Sequence, residues 1–247
     1  MASAKDIIVK PIKSSIANEF VKKHHYSGKV VNSQLHFGCF LNGVLGGVMS
    51  FGPSLDKRHI QGLVKDTPFN DFLELNRMAF SDLLPRNSES RCLSIAFKMI
   101  KKYYPNVKWI VSFADGCQCG DGTIYRASGF KLTGIKKNKT MLINEKGDIR
   151  ADLYFNINNL RDLKKTYKPL DGYMLRYIYF IDKSKEKDLT VPILPFSMID
   201  KMNARMYKGV SYKRNASLVQ EQNSNFPVEN GSATLTDSLH NIGENND

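Results

Sequence analysis

No apolar run in this sequence approaches the roughly 18–20 residues that a membrane-spanning helix needs, so no transmembrane helix is expected. The first residues, MASAKDIIVKPIKSS, carry neither a long apolar stretch nor a small-residue cleavage site, and no signal peptide is expected. Cysteine is scarce: Cys39, Cys92, Cys117 and Cys119 are the four in 247 residues. That is too few for a disulfide framework, and they read as reduced thiols in a cytoplasm. Cys117 and Cys119 stand too close together for a C-x2-C zinc knuckle, and no second pair of Cys or His completes a four-ligand set. Nucleotide loops are missing as well. GCQCGDG (116–122) is neither G-x-x-x-x-G-K-[ST] nor G-x-G-x-x-G, and it puts Asp121 where a phosphate loop carries no acid. Finally, positive charge is missing from one end. Residues 215–247 contain no Lys or Arg and five acids, Glu221, Glu229, Asp237, Glu244 and Asp247.

What is present follows from that last absence. The formal net charge is +12, so residues 1–214 carry five more, +17. A folded body this basic attracts polyanions, nucleic acid foremost. An apolar share of 42% is enough for a proper core, and the length suits one sizeable domain with an appendage.

The pattern predicts a short edge strand over 5–12, then a helix from Ser14 or Ser15 as cap to about Lys23, with Ile16, Phe20 and His24 on one face. A hairpin follows, with Leu35, Phe37, Cys39 and Leu41 inward and Asn42-Gly43 as its turn. Residues 53–68 read as an irregular basic connection, and 72–80 as a strand. Leu93, Ala96, Phe97, Ile100 and Tyr104 make an apolar stripe on a helix over about 90–104, stopped by Pro105. A buried strand (107–115), a short helix ending at Gly129 and a strand from Phe130 complete a mixed α/β (α+β) order. Beyond Leu142 come a polar patch, a basic helical stretch (NNLRDLKKTYK), a strongly apolar strand (GYMLRYIYFI) and a basic segment. The expected division is a catalytic core over 1–142, a strand and helix extension over 143–210 that packs on or completes it, and an acidic disordered tail over 211–247.

Several groups carry candidate chemistry. Asp115 closes a buried strand, where α/β sheets bind ligands; as a turn or capping residue it would be merely structural. His24, His25 and Tyr26 follow the first helix, and with an Asp they are donors suited to iron, manganese or zinc. Glu74 and Arg77 lie three apart on one strand, on opposite faces unless a bulge intervenes. RNSESR (86–91) opens a helix with Arg86, Ser88, Ser90 and Arg91, an anion site by electrostatics or simply a capped end. The glycines after Asp115 would bend the backbone so that Asp115 and Tyr125 reach one pocket.

The order of strand, anion-taking helix, strand and Tyr125-Arg126-Ala127-Ser128-Gly129-Phe130 resembles the GNAT acyltransferases, which place a general-acid tyrosine in that stretch. The resemblance implies a central mixed sheet flanked by helices. It departs at RNSES, which lacks the glycines of the acetyl-CoA loop. A closer resemblance covers about 15–210. KHHYSGKVVNSQLHFG, FGPSLDKR, FLELNRMAFSDLLPRNSESR and SFADGCQCGDGTIYRASGF, with GYMLRYIYFI, VPILPF and ARMYKG, resemble the phage Mu Mom protein family. That resemblance implies an enzyme converting adenine in phage DNA to N6-carbamoylmethyl (acetamido) adenine, which shields the DNA from host restriction. It implies Fe(II) held by Tyr26 and Asp115, with Arg77, Ser90 and Tyr125 in activity or donor binding and His25 and Glu74 as neighbours in the same blocks. Acetyl-CoA or another activated glycine or acetyl compound would be the donor, with Arg86, Ser88, Ser90 and Arg91 at its anion. The partner implied is double-stranded DNA in the host bacterial cytoplasm, from a phage or prophage gene, with no membrane and with a homodimer left open. The alternatives are a GNAT N-acetyltransferase acting on a protein or small-molecule amine, and a non-catalytic DNA-binding protein.

Overall fold

The computed structural model describes residues 2–117 and 120–204, and the backbone of 206–207 and 210–211. The expected tail lies outside these residues except for the backbone of Ser211, and Cys119 also lies outside them. Seven strands make the central sheet: β1 (Ile8–Pro11), β2 (Leu35–Leu41), β3 (Val44–Gly52), β4 (Phe72–Phe80), β5 (Trp109–Asp115), β6 (Lys131–Lys137) and β10 (Tyr173–Phe180). Their order is β1-β2-β3-β4-β5-β10-β6. All neighbours are antiparallel except β4 and β5. The apolar strand GYMLRYIYFI thus sits inside the sheet between β5 and β6, although the chain reaches it last.

The hairpin forms where the sequence places it. Asn42 and Gly43 both take positive φ (50° and 81°), which the tight turn between right-twisted strands requires and which Asn and Gly tolerate best. Phe37, Cys39 and Leu41 point into the main core together with Met49 and Phe51 of β3. Helix α3 (Ser88–Tyr103) lays Cys92, Leu93, Ala96, Phe97 and Ile100 on that same core, so the stripe read from the sequence is its buried face up to Ile100, while Tyr104, expected on the stripe, is the exposed C-cap. Val48, next to Met49 and therefore on the other face, packs with Ala79 against Ala17 and Val21 of α1 (Ser14–His24). Helices therefore flank the sheet on both sides, the mixed architecture the sequence implied.

Local expectations needed correcting. Helix α1 buries Ala17 and Val21, while Ile16 is 44% exposed, because small residues let the helix approach the Val48–Ala79 surface closely. Its N-cap is Lys13, without a side-chain cap, and neither Ser14 nor Ser15 serves. The 53–68 connection contains a short helix, α2 (Lys57–Gln61), whose Ile60 joins a second apolar cluster with Leu63, Phe72 and Trp109. Helix α4 (Thr123–Ala127) precedes Gly129 as expected. The polar patch after Leu142 is a small antiparallel sheet, ordered β8-β7-β9, from β7 (Met141–Asn144), β8 (Ile149–Ala151) and β9 (Tyr167–Pro169). Between β8 and β9 lie α5 (Asp152–Ile157) and a four-residue α6 (Arg161–Lys164), much shorter than the basic helix expected there. A short α7 (Ser197–Lys201) buries Ile199 in the main core. Residues 1–212 form one compact unit.

Candidate active site

The site begins with an irregularity in β4. Ser50 pairs with Arg77 and Phe51 with Leu75, so Asn76 is an extra residue with no partner on β3. Such a bulge shifts the side-chain alternation by one. Glu74 and Arg77 would otherwise face opposite ways; the bulge turns both to the face that α1 covers. Arg77 is the centre of what gathers there. Its Nε donates to the Lys29 carbonyl at 2.8 Å and its Nη1 to the Asn76 carbonyl at 2.7 Å. Burial lowers the Arg77 pKa, and the neighbouring Tyr26 and Glu74 oppose that shift. Burial pushes the Glu74 carboxyl above its usual range, against hydrogen bonds from the Ser54 and Asn76 side chains and the Arg77 charge. Desolvation, helped by Arg77, lowers the His25 pKa from 6.5 to about 4.

His25 is therefore neutral at ordinary pH, and its tautomer follows from its bonds. The backbone N–H of Ser27 donates to Nδ1 at 3.1 Å, and the Ser27 hydroxyl lies 2.8 Å from the same nitrogen. A nitrogen that accepts from an N–H carries no proton, so the ring proton sits on Nε2. The His25 ring lies against that of Tyr26, centroids 4.3 Å apart, and Tyr26 is 54% exposed. The cluster thus offers a half-buried carboxyl with a raised pKa, a fixed cation, a neutral N–H donor and an exposed aromatic ring.

The second part of the site is a split in the sheet. β4 and β5 pair only from Phe72–Trp109 to Glu74–Val111. Beyond that β4 runs on to Phe80 and β5 to Asp115 with no pairing between the two strands among the described residues, so they splay into a cleft. Ser112 stands on the β5 wall, fully buried, and its hydroxyl has no partner among the described residues. Trp109 and Val111 face the cluster around Phe72, and alternation carries Asp115 to that same face, across the cleft from the Arg77 end of β4. Asp115 is buried and its Oδ1 accepts from the Cys117 N–H at 3.0 Å.

Tyr125 stands elsewhere. It packs on Phe130 and Tyr177, ring centroids 5.2 and 5.1 Å away, in the core that α3 covers. Strand alternation thus puts Asp115 on the face of the sheet that α1 covers, while Tyr125 packs on the face that α3 covers. The mouth of α3 differs from expectation too. Asn87 caps it in a left-handed conformation without a side-chain bond, leaving the first N–H groups to face outward. The Ser90 hydroxyl donates to the Asn87 carbonyl at 3.2 Å and the buried Ser88 hydroxyl to that of Pro85, so both side chains turn back on the loop. Arg91 is not aimed at the mouth, since its Nη2 donates to the Lys5 carbonyl at 3.1 Å and ties down the N-terminal segment. Arg86 stays exposed beside the mouth.

Among the described residues no three of His, Cys, Asp and Glu come together as ligands. Tyr26 lies beside the Arg77 cation, which opposes a second cation there, and His25 presents a protonated Nε2.

Sequence reasoning missed Asn76, the residue that makes the bulge. Its Nδ2 donates to the Pro53 carbonyl at 3.2 Å and its Oδ1 accepts from the Ser33 hydroxyl at 3.0 Å. It also missed Ser54, hydrogen-bonded to Glu74, and Lys29. An Asn inside an apolar strand was the available signal. Asn76→Ala is expected to cost about 1–3 kcal/mol of stability, read by urea denaturation, because it removes the partners of half-buried groups on two loops.

Residues 6–198 match the profile of the Mom protein family. A protein of Escherichia phage Mu named methylcarbamoylase mom is 33% identical over 204 residues, which is 77% of this chain and 82% of that protein. Among solved structures, the spermidine/spermine N-acetyltransferase of Vibrio cholerae aligns with a TM-score of 0.45 at 8% identity, over 75% of this chain and 99% of its own. A GNAT-family acetyltransferase of Streptococcus pneumoniae aligns with a TM-score of 0.42 at 9% identity, over 70% and 98%. The architecture itself is read from the strand order and the split between β4 and β5. The blocks around Tyr26, Arg77, Ser90, Asp115 and Tyr125 all fall within the family match, and this chain belongs to the Mom protein family.

Proposed function

We propose that this protein transfers a carbamoylmethyl group to the N6 amine of adenine in double-stranded DNA, inside the bacterial cytoplasm, and so protects phage DNA from restriction. The observation that carries the proposal is the 33% identity, over 77% of the chain, to a phage methylcarbamoylase. The +17 body suits a duplex partner, and its affinity should fall steeply with salt as backbone counterions are released.

The adenine amine is unreachable inside the stack, so the base must turn out of the duplex. The open Tyr26 ring gives it a face to stack on. The N6 nitrogen attacks the methylene carbon of the donor; a C–N bond forms, and the bond to the leaving group breaks with its electron pair leaving on that group. Glu74 takes the proton shed by the amine. Its burial raises its basicity toward the working pH, which favours general-base action. Arg77 and the His25 Nε2 proton hold the carbamoyl oxygen of the donor. The donor lies through the β4–β5 cleft, with its leaving group toward Tyr125, which returns a proton, and any anionic part at the α3 mouth. Asp115 forms the far wall and orients the base.

DNA from cells expressing the protein should resist an endonuclease whose site contains adenine. DNA from cells expressing Asp115→Ala should be cut like unmodified DNA. Full cutting of DNA from cells making the wild-type protein would remove the proposal.

A further inference from the structure

Between β6 and β10 the chain leaves the central sheet for residues 138–172 and builds the small sheet with α5 and α6. Phe155 of α5 is the buried anchor, its ring 4.8 Å from that of Tyr167 and 5.4 Å from that of Tyr154. With Phe155 turned inward, helical spacing sends Leu153 and Ile157, four apart, to the opposite side. They are 53% and 72% exposed. Tyr154 lies on the flank between the two sides and faces the candidate site: the Lys29 ammonium stands 5.7 Å from its ring centroid. Lys29 is the residue whose carbonyl holds Arg77. The exposed aliphatic pair thus flanks Tyr154, whose ring reaches Lys29, the residue that holds Arg77.

What covers that pair takes little apolar area and carries negative charge. A stable subunit contact buries about 800 Å² on each partner, far more than two side chains on a six-residue helix offer. The surroundings are basic. The segment 138–172 holds seven Lys and Arg against five acids. Lys139, Lys146, Arg161 and Lys168 make no ion pair among the described residues. The Arg150 guanidinium lies 5.1 Å from the Tyr154 ring.

We propose that α5 opens the duplex: Leu153 and Ile157 enter the base stack beside the target adenine and hold the gap, while the base turns out toward Tyr26, Glu74 and Arg77. This inference rests on the adenine-modification reading above. Apolar side chains that enter a base step offset the loss of stacking, and nearby cations hold the phosphates on either side.

The test uses a duplex with 2-aminopurine in place of adenine, whose emission rises when the base leaves the stack. The double variant Leu153→Ser, Ile157→Ser changes only exposed side chains; Leu153→Met, Ile157→Met keeps the apolar bulk. The wild type and the Met variant should raise the emission. The Ser variant should bind the duplex within about threefold of the wild type, by anisotropy. It should nevertheless leave the emission at the level of free duplex, and modified adenine in cells should drop about tenfold or more. A Ser variant that raises emission and modifies DNA like the wild type overturns the wedge. So does a wild type that modifies adenine without any rise in emission, or a wild-type dimer that the Ser change splits. A wild type that leaves adenine unmodified sinks the enzymatic reading itself, and the wedge with it.

Discussion

Glu74→Gln is expected to lower the yield of modified adenine by about 10²- to 10⁴-fold, the usual contribution of a positioned general base, while DNA binding stays unchanged. Glutamine keeps the size of the side chain and can still bond Ser54, so the bulge and the Arg77 position should survive. What it loses is the ability to take a proton. Burial raises the Glu74 pKa, so the wild-type rate should climb as pH rises through that raised value and level off above it. The glutamine variant should show no such limb. Equal rates and equal pH profiles for the two proteins would take Glu74 out of the reaction.

Arg77→Ala should be the most damaging single change for structure and reaction together. It removes hydrogen bonds to the Lys29 and Asn76 carbonyls and takes a positive charge from beside the half-buried Glu74. The expected cost is about 1–3 kcal/mol in stability, with modification lost. The change has a second readout. The Arg77 charge is one cause of the lowered His25 pKa, so its removal should move that pKa upward from about 4, though burial still keeps it below 6.5. The sign for stability follows. A histidine whose folded pKa is depressed contributes stability that is present above pH 6.5 and is lost as pH falls toward about 4. The alanine variant should therefore lose less of its stability over that window than the wild type does. Arg77→Lys keeps the charge and not the fork, so it should hold the His25 pKa low while still losing activity. NMR titration of the His25 ring checks this; an unchanged pKa in Arg77→Ala would mean the guanidinium does not act on the imidazole.

Much of this architecture is legible in the sequence because it depends on neighbours along the chain. Asn42-Gly43 announces its turn, and the alternation of Phe37, Cys39 and Leu41 sets the inward face of β2. The spacing of Leu93, Ala96, Phe97 and Ile100 sets that of α3. The candidate site was legible as blocks of residues and not as a geometry. Whether Glu74 and Arg77 share a face turns on one unpaired residue, Asn76, whose loop contacts at Pro53 and Ser33 lie 23 and 43 positions away. Strand alternation alone cannot supply that. The same holds for β10, which enters the sheet between β5 and β6 only through long-range pairing. Tyr125 was placed by its motif on the correct helix, but its face of the sheet depends on Tyr177 and Phe130. His24 and His25 are indistinguishable as letters; the Ser27 contacts and the Arg77 charge single out His25.

The central claim is tested most directly by mass spectrometry of nucleosides from the DNA of cells expressing the wild-type protein, beside cells expressing Glu74→Gln and Arg77→Ala at equal levels. The account predicts a deoxyadenosine species heavier by one carbamoylmethyl group in the wild type, reduced to near background in both variants. A wild-type sample containing only unmodified deoxyadenosine, with the protein present and folded, would contradict it.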